Sequence, residues 1–197
     1  MNHINSFNII IAGTGGQGVN TLTDIFWKLC EYSGYYCTGA VFKGGAQRMG
    51  TVYSEIRIFF TPTDDAIMYS SEISPGCGNL IIGMEPWETL RYKKYINSKT
   101  VVIVNSSIEP FYLEREEDFK LEDPVKALDS LDCKIEIKNY TNEADKIFKN
   151  KKMVNYLIGI KAIKTGVLPF TIDSFNTMFI KKVFLSDSII MKIKDYK

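Results

Sequence analysis

Residues 8–20 read "NIIIAGTGGQGVN", and the interpretation of this stretch decides the fold. An unbroken isoleucine run is what a strand buried on both faces requires. Gly13, Gly15 and Gly18 then follow with G-x-G-x-x-G spacing, the spacing of a strand–turn–helix unit that receives phosphate. The next segment, "QGVNTLTDIFWKLCEYSG", places Val19, Leu22, Ile25, Phe26, Leu29 and Cys30 on one helical stripe. Gly34 suits the left-handed position at its end. In such a unit the first helical N–H groups lack intrahelical partners and carry the positive end of the helix dipole. Gly13 and Gly15 would let a phosphate approach them. The same glycines also suit a tight turn and close helix–sheet packing, with Gln17 capping or solvating the helix start.

A dinucleotide reading asks for more. It needs an acidic residue about 20 positions further on, at the end of the second strand, to hold the ribose hydroxyls. That strand is "YYCTGAVF", and no Asp or Glu occurs between Glu31 and Glu55. After Lys28, Lys43 is the only cation before Arg48. The phosphate half of a nicotinamide site is present and its ribose half is missing.

Outward from this unit, strand and helix patterns alternate. "GTVYSEIRIFF" turns Val52, Ser54, Ile56 and Ile58 one way and Tyr53, Glu55 and Arg57 the other, which predicts a strand with one less buried face. "NLIIGM" and "TVVIVN" read as buried strands, and "CKIEIKNY" as a shorter one. Between the first two lies "EPWETLRYKKYI", where Pro86 suits a first helical position. Residues 107–130 are irregular and charged, a surface connection with a short helix. Further on, "KMVNYLIGIKAIKTG" is an amphipathic helix ended by Gly166, and "TIDSFNTMFIKKVF" a second, capped by Thr171 or Asp173. "KIFKNKK" reads as a solvated basic loop between helices. The pattern is α/β: a single Rossmann-like domain over residues 1–197, with a mainly parallel twisted sheet flanked by helices and C-terminal helices packed on it.

Composition narrows the function. A net charge of +1 gives no reason to expect nucleic acid or an anionic membrane as partner. The apolar runs fall far short of the roughly 20 residues that cross a bilayer. The first residues lack the features of a secretory signal, so a cytoplasmic protein is expected. Cys30, Cys37, Cys77 and Cys133 contain no C-x-x-C pair, and His3 is the only histidine. A resident metal site, an iron–sulfur cluster or a histidine-based triad is not expected.

A second glycine cluster, "KGGAQRMG" at residues 43–50, sets Gln47 and Arg48 among Gly44, Gly45 and Gly50. Such a loop offers hydrogen-bond donors from a backbone with unusual angles. It should leave the carboxyl end of the second strand beside the first glycine turn, along the edge where open α/β sheets bind ligands.

"GTGGQGV", then "GGAQRMG" about thirty residues later, then "EPWETLR" together resemble the gamma subunit or domain of the 2-oxoacid:ferredoxin oxidoreductases. Within that family the small (beta) subunit of indolepyruvate ferredoxin oxidoreductase looks most similar. The matching positions are the G-x-G-G-Q-G turn, the Q-R loop, and Glu85, Pro86, Glu88 and Arg91. "VNYLIGIKAI" with Asn155, and the "LPF" that follows, resemble the family's closing helices. Met49 departs from the family's Q-R-G-G pattern.

The resemblance implies a required subunit of an assembled enzyme that decarboxylates a 2-oxoacid oxidatively to an acyl-coenzyme A and passes electrons to ferredoxin. Aryl pyruvates such as indolepyruvate are the expected substrates. Thiamine diphosphate, iron–sulfur clusters and coenzyme A belong to the complex; this chain has neither a "GDG" segment nor cluster cysteines. The expected partner is a large subunit carrying thiamine diphosphate and clusters. No cofactor is expected on the chain alone, and no catalytic residue. Gly13, Gly15, Gly16, Gln17, Gly18, Gln47 and Arg48 are the candidate binding residues. Arg48 is the one expected to meet an anion, either a coenzyme A phosphate or a substrate carboxylate, with an interface salt bridge as the plainer alternative. An isolated chain, with its partner surface uncovered, would be open to homodimerisation. Two rival readings are a stand-alone nucleotide-binding module and a scaffold kept for protein interaction.

Overall fold

The computed structural model describes residues 6–44, 50–60, 70–108, 123–183 and 185–196. Strand β1 (Ser6–Thr14) runs through the centre, with Ile9 to Ala12 wholly buried. Helix α1 (Val19–Tyr32) follows, then β2 (Tyr36–Lys43), β3 (Thr51–Phe59) and β4 (Leu80–Gly83). The short α2 (Pro86–Arg91) leads to β5 (Val101–Asn105), α3 (Pro124–Asp129) and β6 (Lys134–Lys138). The chain closes with α4 (Tyr140–Phe148), α5 (Val154–Lys164), α6 (Ile172–Lys182) and α7 (Asp187–Asp195).

The six strands lie in the order β2-β3-β1-β4-β5-β6. β1, β4, β5 and β6 pair in parallel, whereas β3 is antiparallel to both β1 and β2. The second strand therefore does not lie against the first. Only seven residues join β2 to β3, too few for a parallel crossover, which takes a dozen or more. A hairpin results, and β3 is inserted between β2 and β1.

The period-2 geometry of the strands divides the interior into two layers. Ile9, Ile11, Leu80, Ile82 and Ile103 face the larger core with α1, α4, α5, α6 and α7. Ile10, Ala12, Ile81, Val102 and Val104 face a smaller one, closed by Tyr92, Tyr95 and Leu128. An aromatic cluster fills the larger core: the Tyr156 ring lies 5.6 Å from that of Phe148 and 5.1 Å from that of Phe179.

Two local expectations are corrected and one is refined. The less buried face of β3 is the expected one, with Tyr53 and Arg57 only partly buried, but Glu55 on it is 2% exposed. Its Oε2 accepts the Ile73 N–H and its Oε1 the Tyr95 hydroxyl, each at 2.8 Å. The basic "KIFKNKK" segment is not a simple loop: Lys146 lies within α4, and a 3-10 turn spans Lys151–Met153. Finally, a third C-terminal helix, α7, follows the two expected.

Burying a carboxylate is tolerable only when donors meet it. Glu55→Gln turns an amide NH2 toward one of the two donors. A loss of about 1–3 kcal/mol is expected for the unsatisfied group, read from the denaturant midpoint. An unchanged midpoint would show that the two hydrogen bonds are not needed.

Candidate functional site

The glycine turn is held from both sides. The Gly15 N–H donates to the carbonyl of Gly50 at 2.9 Å, and the Gly44 N–H donates to Thr51 at 2.7 Å. The two ends of the second glycine cluster are thereby fixed at the same edge as the first. Gln47 and Arg48, with Gly45 and Met49, lie outside the described residues.

Gln17 serves the strand before the helix: its side-chain Oε1 accepts the Thr14 N–H at 2.8 Å and so closes the end of β1. The helix N-cap is Gly18, in left-handed conformation (φ 84°), with no side-chain cap bond. Gly16 is also left-handed (φ 100°), and a Cβ there would meet nothing within 4 Å. Gly13 serves packing: a Cβ on it would lie 2.8 Å from Gln17 Oε1 and 2.9 Å from Met84 Cβ. At Gly18 the corresponding contact is Asn155 Nδ2, at 2.0 Å. Gly15, Gly16 and Gly18 thus line the accessible edge, and Gly13 lies beneath it.

The third motif comes to the same place. Glu85 caps α2 by accepting the Glu88 N–H at 2.8 Å, and Pro86 opens the helix. Glu88 Oε1 accepts from Arg91 Nε at 3.0 Å and from the Thr51 hydroxyl at 3.3 Å. Both carboxyl residues are fully buried, while the Arg91 side chain is half-exposed. Glu88 therefore ties α2 to the head of β3, one residue beyond Gly50. The glycine turn, the two ends of the second cluster and the Glu85–Arg91 segment, distant in sequence, converge on the carboxyl edge of the sheet.

That edge is also a topological switch point. After β1 the chain crosses to the larger core through α1; after β4 it crosses to the smaller one through α2. Crevices at such points are where open α/β sheets take ligands. Here a cavity of about 550 Å³ opens between Gly16–Gly18 on one side and Lys151, Lys152 and Asn155 on the other. Its base is fixed by Asn105, whose Nδ2 donates to Met84 O at 3.1 Å and to the Thr141 hydroxyl at 3.0 Å. A smaller space of about 390 Å³ flanks the turn on the side of Lys43 and Val52.

Sequence reasoning missed the lysine side of this crevice. Lys151 and Lys152 stand more than 130 residues from the glycine turn, and only the packing of α5 against α1 brings them to it. Among the described residues, no group of three or more His, Cys, Asp or Glu is arranged to hold a metal ion. The four cysteines lie apart from the crevice lining, and none is paired in a disulfide.

This layered domain has the fold of the small subunits of oxoacid oxidoreductases. It superposes on pyruvate oxidoreductase subunit PORC of Thermotoga maritima with a TM-score of 0.64 at 17% identity, covering 96% of this chain and 91% of that one. For the gamma subunit of a keto/oxoacid ferredoxin oxidoreductase from Geobacter sulfurreducens the values are 0.67 and 16%, over 97% and 91%. In sequence, residues 8–183 match the pyruvate ferredoxin/flavodoxin oxidoreductase family, and the chain belongs to it. Indolepyruvate oxidoreductase subunit IorB of Archaeoglobus fulgidus is 34% identical over 99 residues, 50% of this chain and 46% of that protein. The IorB of Pyrococcus horikoshii is 31% identical over 100 residues, 51% and 46%. The chain thus spans about half the length of these curated relatives.

No helix among the described residues is long and apolar enough to cross a membrane.

Proposed function

We propose that this chain is a required, non-catalytic subunit of a thiamine-dependent 2-oxoacid:ferredoxin oxidoreductase that acts in the cytoplasm on aryl pyruvates such as indolepyruvate. The observation that carries the reading is the convergence of the two glycine clusters and the Glu85–Arg91 segment on one sheet edge, in a chain of this family. The described residues do not fit the redox groups of such a complex. The cysteines Cys30, Cys37, Cys77 and Cys133 supply no cluster of thiolates, whereas iron–sulfur centres take several. Thiamine diphosphate and the clusters are therefore assigned to a large partner subunit, and ferredoxin is reached through it. Held by that partner, thiamine diphosphate would supply the carbanion chemistry by which the 2-oxoacid loses carbon dioxide and its acyl group is transferred to the thiol of coenzyme A, with the thiol proton released and two electrons passed through the clusters to ferredoxin.

This chain supplies a surface. Gly15, Gly16, Gln17, Gly18, Gln47 and Arg48 face the partner beside the active-site entrance, with Gly13 supporting the turn from below. Arg48 provides a charge-assisted donor to an anion, a coenzyme A phosphate or the substrate carboxylate. Without its partner the chain is left free to self-associate through the same surface.

Coexpression with a large subunit, followed by assay with aryl pyruvates, pyruvate and 2-oxoglutarate, tests this reading. Activity is expected only when both chains are present. Arg48→Ala is expected to lower turnover about tenfold or more, the worth of a hydrogen bond to a charged group, with the complex intact on gel filtration. Full activity of the large subunit alone would defeat the proposal, and unchanged kinetics would remove Arg48 from the site.

A further inference from the structure

Two of the four cysteines meet at the end of α1 that lies away from the glycine turn. Cys30 stands in the last turn of α1, and Cys37 is the second residue of β2. The chain reverses tightly between them. The Cys30 carbonyl accepts the Ser33 N–H at 3.2 Å and the Tyr35 N–H at 2.9 Å, and Gly34 is left-handed (φ 72°). β2 therefore starts beside the helix end. Strand alternation turns Cys37 toward the helix layer, and both cysteines pack into the larger core. Their thiols lie within hydrogen-bonding reach of each other.

The two sulfurs are not equivalent. Cys30 is wholly buried, whereas Cys37 is only partly so. The hydrogen bond to Cys37, and then burial, push the Cys30 thiol pKa upward; the same hydrogen bond lowers that of Cys37. The sulfur that ionises first is thus the one that solvent reaches, and a protonated thiol is held against it. A redox-active dithiol needs these two parts, an accessible attacking thiolate and a resolving thiol beside it.

We propose that Cys30 and Cys37 form an oxidisable dithiol, a modification site that a peroxide closes into an intramolecular disulfide. The Cys37 thiolate attacks one peroxide oxygen and the O–O bond breaks. A sulfenic acid forms on Cys37, and the other oxygen takes up a proton and leaves as water. The Cys30 thiol then attacks that sulfur and gives up its proton; the S–S bond forms and a second water departs. Two thiols are oxidised and one peroxide is reduced to two waters. The product staples the end of α1 to the start of β2, and a dithiol reductant reverses it. Disulfides in reducing compartments are usually transient and redox-sensing in this way. The inference goes beyond the proposed function and does not depend on it: the pair is tested on this chain without a partner.

The test is peptide mapping of the folded chain after equimolar hydrogen peroxide, alkylation of the remaining thiols and digestion with trypsin. Cleavage after Lys28 and Lys43 leaves Cys30 and Cys37, and no other cysteine, in the peptide 29–43. That peptide is expected to lose two hydrogen masses and both alkyl groups, and to regain its alkylation sites when a dithiol reductant precedes the alkylation. The Cys77 and Cys133 peptides should remain alkylated. In Cys30→Ala the Cys37 sulfenic acid is left unresolved, so its trapping by dimedone should rise about tenfold over the parent. Cys37→Ala should leave Cys30 unmodified. A peptide 29–43 that stays fully alkylated after peroxide overturns the proposal, whatever the variants do. So does a disulfide from Cys37 to Cys77 or Cys133, or equal dimedone labelling of the two variants.

Discussion

Raising the pH beyond about 10, the ordinary tyrosine range, is expected to unfold this protein cooperatively. Six tyrosines have their hydroxyl pKa pushed upward: Tyr53, Tyr92, Tyr95, Tyr140, Tyr156 and Tyr196. Burial is the leading cause in each, because desolvation penalises the phenolate. Carboxylates add to it: Glu55 accepts the Tyr95 hydroxyl and Glu136 that of Tyr140. The folded chain therefore holds these protons more tightly than the unfolded one. Below the unfolded value both states are protonated, and the stabilising contribution is complete. Above it the unfolded chain releases protons that the folded chain keeps, so stability falls as pH rises toward the folded values. The observable is the coincidence of two signals: tyrosinate absorbance from these groups should appear only as far-UV circular dichroism is lost. Titration of all tyrosines near pH 10 with the helix signal intact would contradict the account.

Gly18→Ala is expected to destabilise the fold by about 2–5 kcal/mol, through two separable effects. The first is the backbone. An L-residue with a side chain at φ +84° is strained by roughly 1–2 kcal/mol. The second is space, since the new methyl would stand 2.0 Å from Asn155 Nδ2. Asn155 must leave the crevice wall, at a cost of about 1–3 kcal/mol for overpacking. Gly16→Ala is the internal comparison. It shares a positive φ but has nothing within 4 Å, so only the backbone effect should be seen. For a chain of this size each kcal/mol lowers the melting temperature by about 2–4 °C. Gly18→Ala should therefore melt about 4–20 °C lower than the parent, and Gly16→Ala about 2–8 °C lower. Equal shifts in the two variants would show that the contact with Asn155 carries no energy.

How far the sequence discloses this molecule depends on the range of the interactions involved. β1, the glycine turn and α1 are legible because isoleucine burial, helical spacing and glycine conformation are all local. The place of β3 in the sheet is not, although the alternation in "GTVYSEIRIFF" already suits an antiparallel strand. Its insertion beside β1 rests on pairings between residues more than 35 positions apart, such as Ile11 with Ser54. Helix α4 is hidden by its polarity: only Tyr140, Ala144 and Phe148 are buried. In α7 the only buried residue is Ile193, too little to set a periodic stripe. The glycine side of the candidate site can be read directly from the residues. The lysine side cannot, because Lys151 and Lys152 in isolation are indistinguishable from solvated charges until α5 is laid against α1.

The bond from the Gly15 N–H to the Gly50 carbonyl has a consequence for the proposed assembly. It couples the first glycine turn to the far end of the second glycine segment, so under that proposal a companion chain gripping either one would restrain the other as well. Immobilising them separately would incur two losses of conformational freedom on association. With the link in place the second contact would form on a segment whose anchor is already set, and the two halves of the proposed surface would engage cooperatively.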